Sequence, residues 1–268
     1  ISSQHGLSNN RITSMVQDSL GFIWVGTKNG LNKYDGAKFK KYNQKNSEIS
    51  ANDISSLHID KKGMLWIGTI GGGVNRYNPL TEKFDVYKNS NEKRSIISSN
   101  DIHTILEDSL GNIWLGSELG IDLYIEESNN FKIYRHQAEA KGLLNFISVG
   151  ALLETADRNL FLGTYGDGLY LFDILSEKFT PIVSNINKSN DISLEYINTL
   201  LYSSDGALLI GTNGSGLLSL DLKTNTLNDM FSSDREIEAP IIRTLYKDNS
   251  QNIWVGTDGD GVLKLSGD

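Results

Sequence analysis

The chain has 268 residues, of which 38% are hydrophobic and 22% are charged, and its formal net charge is -8. This charge excludes a non-specific nucleic-acid binder, because binding to phosphates requires a basic surface. The absence of cysteine excludes disulfides, thiolate metal sites and cysteine nucleophiles. No run of about 18 apolar residues is present, so we expect no membrane contact by this segment. Because of the net charge, we expect no nucleic acid among its partners either.

The first predicted elements set a pattern that the rest of the chain follows. A β-branched, apolar strand (12–18) leads through the polar turn DSLG (18–21) into a second strand, IWVG (23–26). The Asp at the start and the Gly at the end of that turn suit a type I turn. A glycine-bearing turn leads to a third strand, and a further turn leads to a polar fourth strand, FKKY (39–42), which suits an outer edge.

The same pattern occurs six times along the chain. A glycine follows the central strand of each copy at 42- to 48-residue spacing, namely Gly26, Gly68, Gly116, Gly163, Gly211 and Gly256. All four tryptophans occupy one repeat position, which Phe161 and Leu209 fill in copies four and five. A four-stranded unit of this length buries both faces only against similar neighbours. We therefore predict an all-β fold, a β-propeller built of four-stranded antiparallel blades.

The predicted domain organisation is a single propeller domain or fragment over 1–268. Its repeats are approximately 9–51, 52–99, 100–144, 145–194, 195–239 and the incomplete 240–268. The sixth repeat stops before a fourth strand, and ISSQHGLS (1–8) could be the tail of a closing outer strand. These features favour a partial propeller or an imperfectly closed ring of six units. Exposed strand edges would favour pairing between chains, such as a homodimer.

The six glycine-containing segments that begin Gly-Thr or Gly-Ser resemble phosphate-binding loops only superficially. A dinucleotide loop requires a helix after the glycines, because the helix N-terminus holds the pyrophosphate. Each segment here lies between two predicted strands, so we interpret these glycines as turns. The sequence thus predicts no cofactor.

The stretch NNRITSMVQDSLGFIWVGTKNGLNKYDG (9–36) resembles the two-component regulator propeller repeat. That family's pattern is Asn-x-Ile, then Asp-x-x-Gly-x-Ile-Trp-Val-Gly-Thr, then Gly-Leu-x-x-Tyr-Asp. The resemblance extends with decay through the whole chain. It is weakest in TADRNLFLGT and SSDGALLIGT, which lack the tryptophan. Propellers of this family commonly have seven blades, so the resemblance implies that the chain is part of a seven-bladed propeller.

The resemblance implies a function in signalling. Members of the family are typically the sensor regions of Bacteroidetes hybrid two-component histidine kinases, anchored in the inner membrane. The resemblance therefore implies a periplasmic sensing segment whose ligand is an oligosaccharide. Its partners would be further propeller and immunoglobulin-like domains of the same protein. This chain contains no kinase motif, so we predict that the segment itself is not an enzyme.

Propeller geometry suggests where a ligand would bind. The residues that precede each first strand should meet the turns between strands two and three on one face, while the other turns lie on the opposite face. The residues at these places differ between repeats on a constant frame, as expected of a site grafted on a scaffold. The ligand-binding candidates are Arg11, Lys28, Asn29, Asp53, Asp101, Glu118, Phe146, Tyr165, Asp167, Tyr196, Asn213 and Asp258. Each is also compatible with a role as a solvated loop residue.

Other chemistry is weakly indicated. An asparagine recurs two residues before the strand isoleucine, at Asn10, Asn52, Asn100 and Asn145, and we expect it to bind the backbone and fix the turn. The four histidines show no i,i+4 pair, and GDG (166–168) and DGDG (258–261) lack the full ligand pattern of a calcium loop, so no metal site is predicted.

Two further functions remain open. One is a scaffold propeller that binds protein at its rim. The other is a polysaccharide lyase or hydrolase, although no pair of carboxylates is singled out for glycoside chemistry.

Overall fold

The computed structural model describes residues 2–90, 96–135, 147–182, 193–231 and 240–265. Within these ranges the chain forms 23 strands in six consecutive antiparallel sheets, each following the order of the sequence. We call these sheets blades 1 to 6. The predicted all-β propeller class with four-stranded blades is confirmed. None of the helices in the described ranges could cross a membrane.

The chain divides into two compact units, 1–137 and 138–268, each with three blades. The blades of the first unit are β1 (Ile12–Gln17), β2 (Ile23–Thr27), β3 (Gly30–Tyr34), β4 (Phe39–Tyr42); β5 (Ile54–Ile59), β6 (Leu65–Thr69), β7 (Val74–Asn78), β8 (Lys83–Tyr87); and β9 (Ile102–Glu107), β10 (Ile113–Ser117), β11 (Gly120–Ile125), β12 (Asn130–Tyr134). Single 3₁₀ turns occur at Ser3–His5 and Glu126–Ser128.

The second unit repeats this arrangement, with a shorter last blade. Its blades are β13 (Val149–Glu154), β14 (Leu160–Thr164), β15 (Leu169–Asp173), β16 (Lys178–Pro181); β17 (Ile197–Tyr202), β18 (Leu208–Thr212), β19 (Leu217–Asp221), β20 (Thr226–Asp229); and β21 (Ile242–Lys247), β22 (Ile253–Thr257), β23 (Val262–Leu265). Blade 6 has three strands in the part of the chain that the structure describes, in agreement with its incomplete repeat.

The second strand of each blade carries most of the core. Every residue of Leu65–Thr69 is buried, whereas Phe39–Tyr42 at the outer edge buries only its last residue. A strand that is covered on both faces needs an almost continuous apolar sequence, and an edge strand does not. Trp24 and Trp66 pack on a tyrosine of the next blade; the ring centroids of Trp66 and Tyr124 lie 4.8 Å apart.

The glycine-containing segments that begin Gly-Thr or Gly-Ser are turns between strands, as predicted. In blade 2 the hydroxyl of Thr69 donates to the carbonyl of Gly73 at 2.7 Å. Gly73 has a φ of 75°, and a Cβ there would lie 2.2 Å from the carbonyl oxygen of Tyr87. Glycine is required at this position because any side chain would collide with the neighbouring backbone.

The N-terminal lead is not a strand, contrary to the expectation of a closing outer strand. Residues 3–5 form a 3₁₀ turn, and Leu7 is buried. The backbone N–H of Ser8 then donates to the side chain of Asn32 at 2.9 Å. Ser50 makes the same bond to Asn75 in blade 2. The lead therefore takes the place of a loop between blades, which is held by a buried side chain of the third strand.

Candidate ligand-binding site

The strand register defines two ends of each blade. In blade 1, Ile12 pairs with Thr27, and Thr27 pairs with Gly30, so the start of β1 and the β2–β3 turn lie together. We call this the entry end. Gln17 pairs with Ile23 at the other end, which holds the β1–β2 and β3–β4 turns and which we call the hairpin end. The structure thus brings the two predicted sets of residues to one end of each blade.

A constant backbone frame supports the entry end. The residue just before the first strand offers its carbonyl to the N–H of the residue that follows Gly-Thr or Gly-Ser. These N···O pairs are Lys28–Arg11 (3.3 Å), Ile70–Asp53 (2.9 Å), Glu118–Asp101 (3.1 Å), Asn213–Tyr196 (2.9 Å) and Asp258–Ile241 (2.9 Å). Because the backbone makes these bonds, the side chains at the same positions remain free to vary.

Blade 4 corrects one predicted position. Its first strand begins at Val149, and the carbonyl of Ser148 accepts the N–H of Tyr165 at 2.9 Å. Ser148 therefore occupies the entry position that the sequence assigned to Phe146, which lies outside the described residues. The Asn-x-Ile pattern there is two residues early. A Cβ on Gly150 would come within 2.4 Å of the Tyr165 ring, so the strand needs this glycine to seat the ring.

Acidic side chains at the entry end of the first unit connect neighbouring blades. Asp53 of blade 2 binds the ammonium of Lys28 of blade 1 through Oδ2 at 2.9 Å. Its other oxygen, Oδ1, is buried and accepts no hydrogen bond from the described residues. Asp101 of blade 3 accepts the backbone N–H of Gly71 of blade 2 at 2.6 Å. The candidates Lys28 and Asp53 thus form an ion pair across blades 1 and 2, and Asp53 Oδ1 accepts no hydrogen bond from the described residues.

Other entry-end side chains form contacts within a blade. His103 Nε2 lies 3.1 Å from Glu118 Oε2 in blade 3. In blade 6 the guanidinium of Arg243 binds Asp258, with Nε at 3.1 Å. The remaining polar candidates are exposed and comprise Arg11, Asn29, Asp167 and Asn213. Within the described ranges no group of His, Asp and Glu is arranged to hold a metal ion.

The second unit offers aromatic surface at its entry ends. Tyr165 of blade 4 and Tyr196 of blade 5 are joined by an isolated antiparallel bridge. Tyr196 is 48% exposed. Asn213 follows the next central strand and donates its backbone N–H to the Tyr196 carbonyl. An exposed ring next to a planar amide is a suitable surface for the apolar face and the hydroxyls of a sugar.

The recurrent asparagines bind the backbone, but over a longer range than a local turn. Asn10, Asn52 and Asn100 each accept an N–H through the side chain, from the residue seven, eight and eleven positions earlier, at 2.7–2.9 Å. In Asn52 and Asn100 this bond closes the loop that follows the fourth strand of the preceding blade. Asn145 lies outside the described residues.

The hairpin end holds a motif that the sequence analysis missed. Asp60 accepts the indole N–H of Trp66 at 2.8 Å with one carboxylate oxygen. Its other oxygen accepts the backbone N–H groups of Lys62 and Met64 at 3.0 and 2.8 Å. The same Asp–Trp bond occurs in Asp18–Trp24, Asp108–Trp114 and Asp248–Trp254, at 2.9–3.0 Å. We call each of these pairs an Asp–Trp lock.

A signal for this lock was present in the sequence. An aspartate stands six residues before every tryptophan, whereas Thr155 and Ser203 stand six residues before Phe161 and Leu209. The hydrogen bond from Trp254, together with those from Asn252, lowers the pKa of Asp248 to about 2. The lock of blade 6 therefore binds the ionised carboxylate of Asp248.

The cavities lie at the hairpin end, opposite to the predicted site. One of about 350 Å³ lies between blades 2 and 3, and one of about 880 Å³ lies between blades 4 and 5. Neither is lined by a predicted ligand-binding residue. These two cavities could not be predicted from the sequence, because each depends on side chains from two successive blades.

Comparison with known proteins agrees with the repeat pattern. The family model described as "Two component regulator propeller" matches residues 6–29, 48–71, 96–118 and 237–259. These four segments contain the four tryptophans. A curated relative, Histidine kinase P4 of Formosa agariphila, is 51% identical over 37 residues, which are 14% of this chain and 3% of the relative.

Solved structures share the fold. The extracellular domain of a hybrid two-component system from B. thetaiotaomicron superposes with a TM-score of 0.82 and 24% identity, over 99% of this chain and 35% of that one. Virginiamycin B lyase from Staphylococcus aureus superposes with a TM-score of 0.69 and 15% identity, over 95% of this chain and 80% of the lyase.

This chain spans about a third of the length of the two-component domain, and a much smaller part of the curated kinase. Four of its six repeats match the family model. The other two form four-stranded blades with the same strand order. The resemblance to the two-component regulator propeller repeat that was inferred from the sequence is confirmed for the four matching repeats.

Proposed function

We propose that this chain is a periplasmic ligand-sensing segment of a hybrid two-component sensor. Its ligand would be an oligosaccharide bound at the entry ends of the blades. A histidine kinase elsewhere in an inner-membrane-anchored protein would receive the signal. The family match and the extracellular two-component domain of the same fold support this proposal. The segment itself would carry out no reaction.

The observation that carries the proposal is the contrast between frame and side chains at the entry ends. The carbonyl-to-turn bond recurs from blade to blade, while the side chains above it include Lys28, Asp101, Glu118, Tyr196 and Asn213. If the entry ends served only to hold the fold together, the side chains at these positions would not need to differ from blade to blade. In the second unit, the exposed ring of Tyr196 and the amide of Asn213 can bind the apolar face and the hydroxyls of a sugar.

Signalling would follow from differential affinity. A ligand that binds one arrangement of the sensor's domains more tightly than another shifts the population toward that arrangement. The Lys28–Asp53 contact joins blades 1 and 2 at the entry end, so a ligand that competes for either group would act on the contact between blades.

The test is a thermal-shift screen of the 268-residue chain against oligosaccharides of defined linkage. A bound ligand raises the melting temperature by mass action. Tyr196→Ala should abolish the shift. Tyr246→Ala, which removes a 62% exposed tyrosine from the first strand of blade 6, should leave it unchanged. The absence of a shift across the panel, or equal loss in both variants, would contradict the proposal. Release of cleaved sugar would indicate an enzyme instead.

A further inference from the structure

The cavity between blades 2 and 3 contains a cation with unusual surroundings. Arg76, on β7, lies half-buried in a cavity of about 350 Å³ at the hairpin end. Its guanidinium lies 5.5 Å from the ring centroid of Trp66 and 5.6 Å from that of Tyr124. Both rings are buried, and their faces stabilise the positive charge. The guanidinium is thus held in place by the core of the first unit.

The hydrogen-bonding capacity of Arg76 is mostly unused. A guanidinium has five N–H donors in a fixed, planar fork. Nη1 donates to the hydroxyl of Tyr124 at 3.0 Å, which is the one hydrogen bond Arg76 makes to described residues. Nε is buried and has no partner among them. Buried polar groups of this kind are ordinarily satisfied by protein, water or ligand.

Four carboxylates line the cavity, and three of them, Asp60, Glu107 and Glu126, have partners other than Arg76. Asp60 is held in its Asp–Trp lock. Glu107 accepts the backbone N–H of Lys61 and contacts His58 at 3.3 Å. Glu126 binds the ammonium of Lys62, which lowers the pKa of Glu126.

Arg76 has no carboxylate partner within ion-pair distance among the residues that the structure describes. The two lysines of the cavity differ from it in this respect, since Lys61 lies 4.0 Å from Glu107 and Lys62 binds Glu126. A charge that is partly removed from water is favourable only when it is paired. Arg76 therefore acts on the cavity's carboxylates only at longer range, since its charge contributes to the lowered pKa of Glu126, and its planar fork binds none of them directly.

We propose that this cavity binds the carboxylate of a small acidic sugar, with the Arg76 guanidinium as the carboxylate-binding group. Arginine is suited to this task because its fork matches a carboxylate with two parallel hydrogen bonds. Lys62, Glu126 and Asn112 line the cavity and can bind sugar hydroxyls. The volume lies at the lower end of the range of about 300–1,000 Å³ for ligand pockets, which suits one sugar unit.

This site is separate from the entry-end site of the proposed function and does not rest on it. The third-strand position that Arg76 occupies in blade 2 is held by Lys33 in blade 1. Lys33 lies over the rings of Phe22 and Trp24 beside a cavity of about 360 Å³. Lysine supplies a point charge without a fork. Lys33 therefore provides a matched control, with the same position, the same charge and aromatic neighbours.

The experiment is isothermal titration of the 268-residue chain with glucuronate, with glucose as the neutral match and acetate as the carboxylate alone. Glucuronate should bind, and glucose and acetate should bind at least about tenfold more weakly. Arg76→Met should weaken glucuronate binding about 10- to 100-fold, the range expected for loss of charged hydrogen bonds. Arg76→Lys should have a smaller effect, and Lys33→Met and Tyr196→Ala should have none.

Several outcomes would overturn the proposal. They are no glucuronate binding by the unaltered chain, equal binding of glucose or acetate, and glucuronate binding that is unchanged in Arg76→Met. Circular dichroism checks that each variant is folded. If Arg76→Met does not fold, Arg76→Lys decides, because retention of full affinity in that variant would show that the fork is not used. Loss of oligosaccharide binding in Tyr196→Ala without loss of glucuronate binding would separate the two sites.

Discussion

Blades 1 to 3 and blades 4 and 5 have the same strand order but stabilise the hairpin end differently. In blade 2 the Asp60–Trp66 lock binds an indole and two backbone N–H groups. In blade 4 the corresponding Thr155 accepts a single backbone N–H, from Asn159 at 3.0 Å. In blade 5, Leu209 replaces the tryptophan and is buried in an aliphatic core. The same strand order is thus compatible with a hydrogen-bonded Asp–Trp lock in some blades and with an apolar residue in place of the tryptophan in others.

The difference shows that the two members of the lock depend on each other. A buried indole N–H needs an acceptor, and a buried carboxylate needs several donors, because an unpaired group of either kind is costly. Where the tryptophan is replaced, as in Phe161, the aspartate is replaced as well, by Thr155. Replacement of both partners together, by an apolar residue for the tryptophan and a hydroxyl residue for the aspartate, avoids the cost that removal of one would incur.

Removal of one partner should have the largest effect. Asp60→Ala leaves three N–H groups without their acceptor, at about 1–3 kcal/mol each, so we expect a loss of about 3–5 kcal/mol in the free energy of unfolding. Thr155→Ala in blade 4 removes one acceptor and should cost about 1 kcal/mol. Urea denaturation of both variants measures the difference. Equal losses would contradict the contrast between the blades.

Replacing both partners together should recover part of this loss. The double variant Asp60→Thr, Trp66→Phe installs the pair of blade 4 in blade 2. We expect it to be destabilised by about 1–2 kcal/mol less than the sum of the single variants, because residues in contact are not additive. Additive effects in this double-mutant cycle would show that the two residues act independently.

A second contrast concerns the side chain on the third strand that holds the preceding loop. Asn32 and Asn75 do this in blades 1 and 2, whereas blade 3 uses Asp122, which accepts the N–H and the hydroxyl of Ser98. Burial raises the pKa of Asp122 to about 6, although the hydrogen bonds from Ser98 and the charge of Arg135 oppose this. The carboxyl is therefore more easily protonated in the folded chain than in the unfolded chain.

The sign of the pH dependence follows from this shift. The contribution of Asp122 to stability is fully present below about pH 4 and is lost as the pH rises through about 6. Asp122→Asn should therefore raise the free energy of unfolding at pH 7.5 by about 1–3 kcal/mol and have little effect at pH 4. Denaturation at both pH values measures this. An equal effect at the two values would contradict the buried-carboxyl interpretation.

The reverse substitution provides the control. Asn75→Asp places a carboxyl in the corresponding position of blade 2, where the side chain is fully buried. It should destabilise the chain at pH 7.5 and less so at pH 4. If it is tolerated equally at both, burial alone does not account for the pKa of Asp122.

The sequence predicted the parts of this structure that repeat. The glycine after each central strand and the apolar run before it depend on local backbone geometry, so the six blades and their turns could be inferred. The Asn-x-Ile pattern placed the entry to blade 4 at Phe146, since periodicity alone does not reveal that Gly150 must seat the Tyr165 ring. The register of the folded strand moved that position to Ser148.

The cavities could not be predicted, because they arise from contacts between blades. In the sequence, Arg76 is a single cation in a strand without unusual features. Its position in the cavity depends on a hydrogen bond to Tyr124, which lies 48 residues later. Apart from Phe146, the entry-end candidates lie at the predicted end of their own blades, because strand order alone determines that end. Whether they bind a ligand depends on side-chain chemistry, so that part remains a proposal.

The smallest effects should come from the exposed ion pairs that join blades 1 and 2. Lys28–Asp53 at the entry end and Lys40–Glu82 at the hairpin end both have N···O distances of 2.9 Å. Exposed pairs contribute about 0–1 kcal/mol, so Lys28→Met and Lys40→Met should each change stability by less than about 1 kcal/mol. A larger loss in Lys28→Met alone, measured by denaturation, would assign the entry-end pair a structural role.

Native-state hydrogen exchange tests most directly the claim that the lock stabilises its hairpin end. The Met64 amide donates to Asp60 in the lock of blade 2, whereas the Ala207 amide of blade 5 donates to the exposed Asp205 at 3.2 Å. Both residues are half-buried and occupy the same turn position. The Met64 amide should exchange at least about tenfold more slowly, because local opening there breaks the lock. Equal exchange of the two amides would contradict the account.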